Sequence, residues 1–262
     1  MQIFHCFAFG LMWVFLGCTK PEENFIRIPS EFQVSVAEAV LEDGSRSLYL
    51  DLASISATYC LGDSLVYNTA SNGYDFNVSV LESFKANECL SKRFSLDCRI
   101  QLKGFSDSMF LHIAFGKATT ALLLLTDNRD FYKLELIDGT GLTLKTPQTR
   151  KIPDKLLWGY AYVKSTDPAN EQLLTKLVKE IEYDCTTHWL PEGFYSYFYL
   201  GAGNSITWVE DPGLAGGYRN FYYSYSWNEV ELDQFFHSLA ESYERLIGFH
   251  IWTSDGKVFV LK

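Results

Sequence analysis

The chain has 262 residues, 47% hydrophobic and 16% aromatic, so it can bury a sizeable core and does not read as intrinsically disordered. Its formal net charge is −10. That balance argues against the Lys/Arg footprint that nucleic-acid phosphates require, and against electrostatic docking on anionic lipid. The length allows two modest domains or one large β domain.

The first element is an uncharged apolar leader, Met1 to Gly17, built on Phe4, Phe7, Phe9 and the run Leu11 to Leu16. It is too short for a comfortable transmembrane helix, which needs about 20 residues. It has the length of a signal-peptide core. The junction Phe15-Leu16-Gly17-Cys18 resembles the lipobox of bacterial lipoproteins. That resemblance implies cleavage before Cys18 and a diacylglycerol on its thiol, so the membrane partner would be reached through acyl chains. Residues 18–30 read as a polar tether. The stretch Thr19 to Asn24 is similar to the acidic export signal of Bacteroidota-type surface lipoproteins. Asp63-Ser64-Leu65 and Asp107-Ser108-Met109 resemble the O-glycosylation sites of that group, which would place sugars on Ser64 and Ser108. The implied location is the outer membrane, facing the cell surface.

Residues 31–147 read as strands. Phe32, Val34 and Val36 alternate with polar residues, Asp43-Gly44 signals a hairpin, and Leu48, Leu50 and Leu52 alternate on the return. Alternation recurs over Phe76–Val80, Leu96–Leu102, Met109–Phe115 and Tyr132–Leu136. Ala121 to Leu125 is a continuous apolar run, expected to be buried on both faces. An Asp138-Gly139 turn follows. Short strands with turn signals between them predict an antiparallel β-sandwich or jelly roll.

Residues 148–156, with prolines at 147 and 153, read as a linker, and residues 157–262 as an α+β domain. Asp167-Pro168 is a helix start, and Leu173, Leu174, Leu177, Val178 and Ile181 form one helical face. Two aromatic strands are expected, near Phe194–Leu200 and Tyr218–Tyr225. Ser226-Trp227-Asn228-Glu229 reads as a capping box for a second helix, ended by Gly248 through a left-handed residue. A last hairpin turns at Asp255-Gly256. The fold class is therefore mainly β: an N-terminal antiparallel sandwich, then a two-helix, antiparallel-sheet unit.

No nucleophile elbow, P-loop, zinc-protease helix or dinucleotide fingerprint is present. No catalytic residue, metal ligand or cofactor is assigned. Four cysteines remain outside the leader and Cys18, and Cys89 with Cys98 are placed for a short disulfide clasp, with Cys60 as a competing partner. The one constellation that stands out is aromatic. Strict alternation puts Tyr195, Tyr197 and Tyr199 on one face of their strand and Tyr223 and Tyr225 together on theirs, with Trp208 between the strands. Two helices normally cover one face of a sheet, which leaves the other in need of cover. Tyrosine suits recognition, having a flat ring, a polar tip and little entropy to lose. The plainer reading is that these rings pack on the first domain or pair across strands. The sequence thus leads to a lipid-anchored, non-enzymatic binding module for a glycan or protein. The alternatives are a structural subunit of a surface or fimbrial assembly, and a hydrolase without a recognisable motif.

Overall fold

The computed structural model describes residues 32–57, 59–60, 63–84, 94–116, 119–165, 169–214 and 217–262. The leader, Cys18, the tether, Cys89 and Asp167-Pro168 lie outside the described residues.

The N-terminal part is a β-sandwich. Its first sheet is formed by β1 (Phe32–Val40), β2 (Arg46–Ser54), β5 (Asp97–Gln101) and β9 (Leu142–Leu144), in the order β5-β2-β1-β9. Its second is formed by β3 (Ser64–Ser71), β4 (Asp75–Phe84), β6 (Ser108–Phe115), β7 (Thr119–Asp127), β8 (Phe131–Gly139) and β10 (Gln148–Arg150), in the order β10-β8-β7-β6-β4-β3. Most pairs are antiparallel; β1 with β9 and β4 with β6 run parallel. The inner residues follow the period-2 pattern: Val34, Val36, Leu50 and Leu52 from one sheet meet Val78, Leu111, Ile113, Leu123 and Leu125 from the other. Each such side chain contributes about 1.5–3 kcal/mol by leaving water. The run 121–125 alternates: Ala121, Leu123 and Leu125 are buried, while Leu122 and Leu124 are half-buried. It is therefore a strand with one core face, and the expectation of burial on both faces is corrected.

The expected linker does not hang free. Gln148–Arg150 is β10, paired with Phe131–Lys133 of β8. Thr149 is buried, its hydroxyl donating to the Val36 carbonyl at 2.5 Å. Ile152 is buried, and its N–H donates to the Glu38 carboxylate at 2.9 Å.

The C-terminal part begins with β11 (Leu156–Val163), followed by α1 (Ala169–Asp184), β12 (Gly193–Phe194), β13 (Phe198–Leu200), β14 (Ile206–Trp208), β15 (Tyr218–Ser224), α2 (Glu229–Tyr243), β16 (Ile247–Thr253) and β17 (Val258–Leu261). A four-stranded antiparallel sheet has the order β15-β11-β16-β17. Both helices lie on one face of it, where Leu174, Leu177 and Ile181 of α1 and Leu232, Phe236 and Leu239 of α2 meet Leu157, Ala161, Phe221, Phe249 and Ile251. A three-stranded sheet, β12-β13-β14, packs on the opposite face through Phe198, Leu200, Trp158 and Tyr195.

Two helix signals shift. The capping box is made by Asn228, whose side chain accepts from the N–H groups of Val230 and Glu231, while the Glu231 carboxylate accepts from the Asn228 N–H. It thus lies two residues beyond the Ser226-based register. Gly248 is not a helix terminator: it lies inside β16, opposite Tyr162. A Cβ there would stand 2.3 Å from the Tyr162 ring, so the glycine gives that ring room.

Candidate functional site

The tyrosine face expected from the sequence does not exist as one surface. Strict alternation through residues 194–200 fails because Ser196 takes φ 66°, a left-handed conformation unusual outside glycine. The chain reverses there, and β12 pairs with β13 instead of continuing into it. Tyr195 is consequently buried, stacked on Phe198 at 5.1 Å with its hydroxyl donating to the Pro191 carbonyl. Tyr197 is half-buried, and its hydroxyl accepts from the Val40 N–H at 3.0 Å. Burial raises its pKa. Tyr199 is exposed on the outer side of the small sheet. Tyr223 and Tyr225 belong to the helix-covered side, where Tyr225 is buried and stacked on Trp227. Burial pushes the Tyr223 hydroxyl up to about 12. Tyr223 and Tyr225 are therefore core-side rings and are withdrawn from the site. Of the six residues proposed from the sequence, Tyr197 and Trp208 alone reach the cleft described next.

That cleft lies on the face of the four-stranded sheet away from the helices. Its floor comes from two neighbouring strands: Tyr160 of β11 stands opposite His250 of β16, and Trp252 lies two residues further along β16. Trp208 of β14 leans in from the small sheet, its ring 5.4 Å from Tyr160 and 5.6 Å from Trp252. The indole N–H of Trp208 donates to Asn220 at 2.9 Å, which fixes the ring. His250 stacks on Trp252 at 4.0 Å. Burial, with Lys262 nearby, lowers the His250 pKa, so the imidazole is neutral at pH 7 and can donate and accept at once.

The opposite wall belongs to the sandwich: Ala37 to Ala39 of β1 and Arg99 of β5. The two parts are tied along this wall. The Glu38 N–H donates to Ser196 Oγ at 2.8 Å, so the strained residue earns a contact across the junction. The Glu38 carboxylate, itself buried, accepts from Arg46, from the Tyr132 hydroxyl and from the Ile152 N–H. Arg99 is held by Asp51 in a two-point pair at 2.7 and 3.0 Å. The loop after β14 adds Glu210 and Asp211, both exposed, to the rim. The cleft has a volume of ≈ 290 Å³, at the small end of the range for small-molecule sites. Beyond the small sheet the same face continues through Val258 and Val260 of β17, which are about half exposed.

The residues missed from sequence had a signal. Trp158, Tyr160 and Tyr162 alternate along β11, and His250 and Trp252 alternate along β16. The Arg99 and Glu210 contributions had none, because they come from distant loops and strands.

The disulfide expectation is corrected. Cys98 is a free thiol, so no Cys89–Cys98 bridge forms. Burial, with Asp97 and Asp51 close by, pushes it up to about 12, which keeps it protonated and unreactive. Cys185 is also free, whereas Cys60 is disulfide-bonded to a partner outside the described residues. Ser64 and Ser108 each open a strand, β3 and β6. Among the described residues no group of three or more His, Cys, Asp or Glu side chains is placed to hold a metal ion.

Comparison with family models, with curated proteins and with solved structures gave no match to this chain.

Proposed function

We propose that this chain is a lipid-anchored, surface-exposed envelope lipoprotein that acts as a non-enzymatic binding module, with a glycan as ligand in the aromatic cleft. The observation that carries the reading is the set Tyr160, Trp208 and Trp252, three half-buried rings converging on one hollow. Flat rings suit the apolar face of a sugar, while His250, Arg99, Glu210 and Asp211 offer hydrogen bonds to its hydroxyls. The nearest buried carboxylate, Glu38, is committed to three donors within the protein, and Glu210 and Asp211 are adjacent, exposed residues. Neither arrangement favours the hydrolase reading. The membrane link remains the acyl chains on Cys18.

The test is a glycan array probed with the purified chain, followed by Trp252→Ala. Binding to a defined set of glycans that disappears in the variant supports the reading. A protein that retains nothing from the array, or that binds equally well without Trp252, refutes it. Lipidation is checked separately by metabolic palmitate labelling, and an unmodified Cys18 in envelope-derived protein would remove the anchor.

A second reading, a subunit of a surface assembly, is favoured by β3. It is an eight-residue edge strand of the six-stranded sheet with a largely exposed course, and such edges pair readily with another strand. Concentration-dependent self-association abolished by a proline at Thr69 would favour it.

A further inference from the structure

A second cleft, of ≈ 540 Å³, lies where the chain leaves the sandwich at Arg150–Asp154 and the segment His188–Pro191 runs past it. Its character is cationic, in a protein whose net charge is −10. Arg46, Arg129, Arg150 and Lys151 line it, with Asp130 and Asp154 as the acidic members.

Two of these cations are committed to the fold. Arg46 pairs with Glu38 and Asp154 and donates to the Ile152 carbonyl. Lys151 pairs with Asp127 and sits over the Tyr132 ring at 4.9 Å. The other two are not. Arg150 uses its Nε to donate to the Glu192 carbonyl at 3.3 Å and lies over the Phe131 ring, so its terminal amino groups remain available. Arg129 is exposed and makes no ion pair or hydrogen bond among the described residues. With Asp154 engaged by Arg46, one acid, Asp130, stands against the Arg129 guanidinium and the terminal amino groups of Arg150.

The same cleft carries Trp189, 78% exposed. Its neighbours hold it in place: Leu190 is buried, and His188 is hydrogen-bonded to Ser224 at 2.7 Å. A flat indole beside two guanidinium forks is a combination for a ligand that has both a ring and a carboxylate. Guanidinium recognises a carboxylate by two parallel hydrogen bonds, and the indole offers a face for the ring. An acidic peptide is a poorer match. The sheet edge here, β10, is three residues long and runs beside β12, so a peptide finds no open backbone edge to extend.

We propose that this cleft binds a uronic acid residue of an anionic polysaccharide, the sugar ring against Trp189 and the carboxylate on Arg129 and Arg150. The site shares no residue with the aromatic cleft, and either one can fail alone.

Isothermal titration of the purified full chain with tri-galacturonate, tri-mannuronate and a glucuronate-containing hyaluronan oligosaccharide tests it. At least one of the three should bind, its methyl ester should bind about tenfold more weakly or worse, and added salt should weaken the interaction. Arg129→Ala and Trp189→Ala should each weaken it by a similar factor with unchanged Tm, since both side chains are exposed. Trp252→Ala, in the aromatic cleft, should leave it intact. Four results overturn the proposal: no binding of any of the three at millimolar concentration; equal binding of the ester; equal affinity for poly-glutamate, which would make the cleft a peptide site; and equal displacement by sodium sulfate, which would make it a bare anion site.

Discussion

The two faces of the four-stranded sheet are built from alternate residues of the same strands, yet they end in different physical states. On one face Leu157, Ala161, Phe221, Phe249 and Ile251 lie under α1 and α2. On the other, Trp158 is sealed by the small sheet while Tyr160, His250 and Trp252 open into a cleft. The difference is one of cover. Two amphipathic helices suffice for one face, whereas three strands of two or three residues cover only part of the other. The sandwich supplies a further wall without closing the gap. The rings left in this way stay half-buried rather than sealed.

The sharpest way to break the comparison is to empty each face in turn. Phe236→Ala on α2 removes a ring that is 1% exposed and stacked on Phe259 at 4.4 Å. A loss of about 3–5 kcal/mol is expected in urea unfolding. Tyr160→Ala on the other face should cost clearly less stability and instead remove about 2 kcal/mol or more of binding to any glycan identified on the array. If Tyr160→Ala destabilises as much as Phe236→Ala, the two faces are equivalent and the cleft is merely core.

Next in size is the junction. Glu38→Gln keeps the shape but leaves Arg46 with Asp154 as its one ion-pair partner and weakens the bonds from Tyr132 and Ile152. A destabilisation of about 1–2 kcal/mol is expected. Unfolding in two separate steps in this variant would show that Glu38 fixes the far wall of the cleft against its floor.

A smaller effect follows from His250. Its folded pKa lies below the unfolded value of 6.5. Between those two values the unfolded chain binds the proton more readily. Stability should therefore be level above pH 6.5 and fall as pH drops through the folded value. The decline should be reduced in His250→Phe when thermal unfolding is followed against pH; an identical profile would remove His250 as its cause.

The smallest expected effect is a negative one. Because Gln148–Arg150 is paired in a sheet and Ile152 is buried, trypsin should not cut first after Arg150 or Lys151. Early cleavage there would mean that the two parts separate readily and that the aromatic face is not held against the sandwich.

Much of the fold was legible because its signals are local. Val34, Val36, Leu50 and Leu52 alternate as a half-buried sheet must, and Asp43-Gly44 and Asp255-Gly256 carry the left-handed glycines that their hairpins need, at φ 75° and 85°. The central strand β11 was harder to see. Leu156-Leu157-Trp158-Gly159 is buried on both faces and shows no alternation, so it looks like the end of a linker. One residue took Tyr195 out of the expected face. Ser196 breaks the period, and nothing in the residue type announces a positive φ.

The sequence by itself determined the strand-rich first part, the two amphipathic helices on one side of a sheet, and the aromatic surplus that a sheet with two helices cannot fully cover. These follow from period and composition, which act over a few residues. The tertiary structure decided which rings are surplus. Tyr223 and Tyr225 went to the helix side because β15 pairs with β11 in one particular register, and Tyr195 went inside because the chain reverses at Ser196. Tyr160, His250 and Trp252 became the cleft because β11 and β16 lie side by side although some ninety residues separate them in sequence. Arg129 and Arg150 were left with Asp130 as the one unpaired acid of their cleft, because Asp154 there is taken by Arg46, while Lys151 pairs with Asp127. Pairing register and competition for partners are long-range properties, and only the folded chain fixes them.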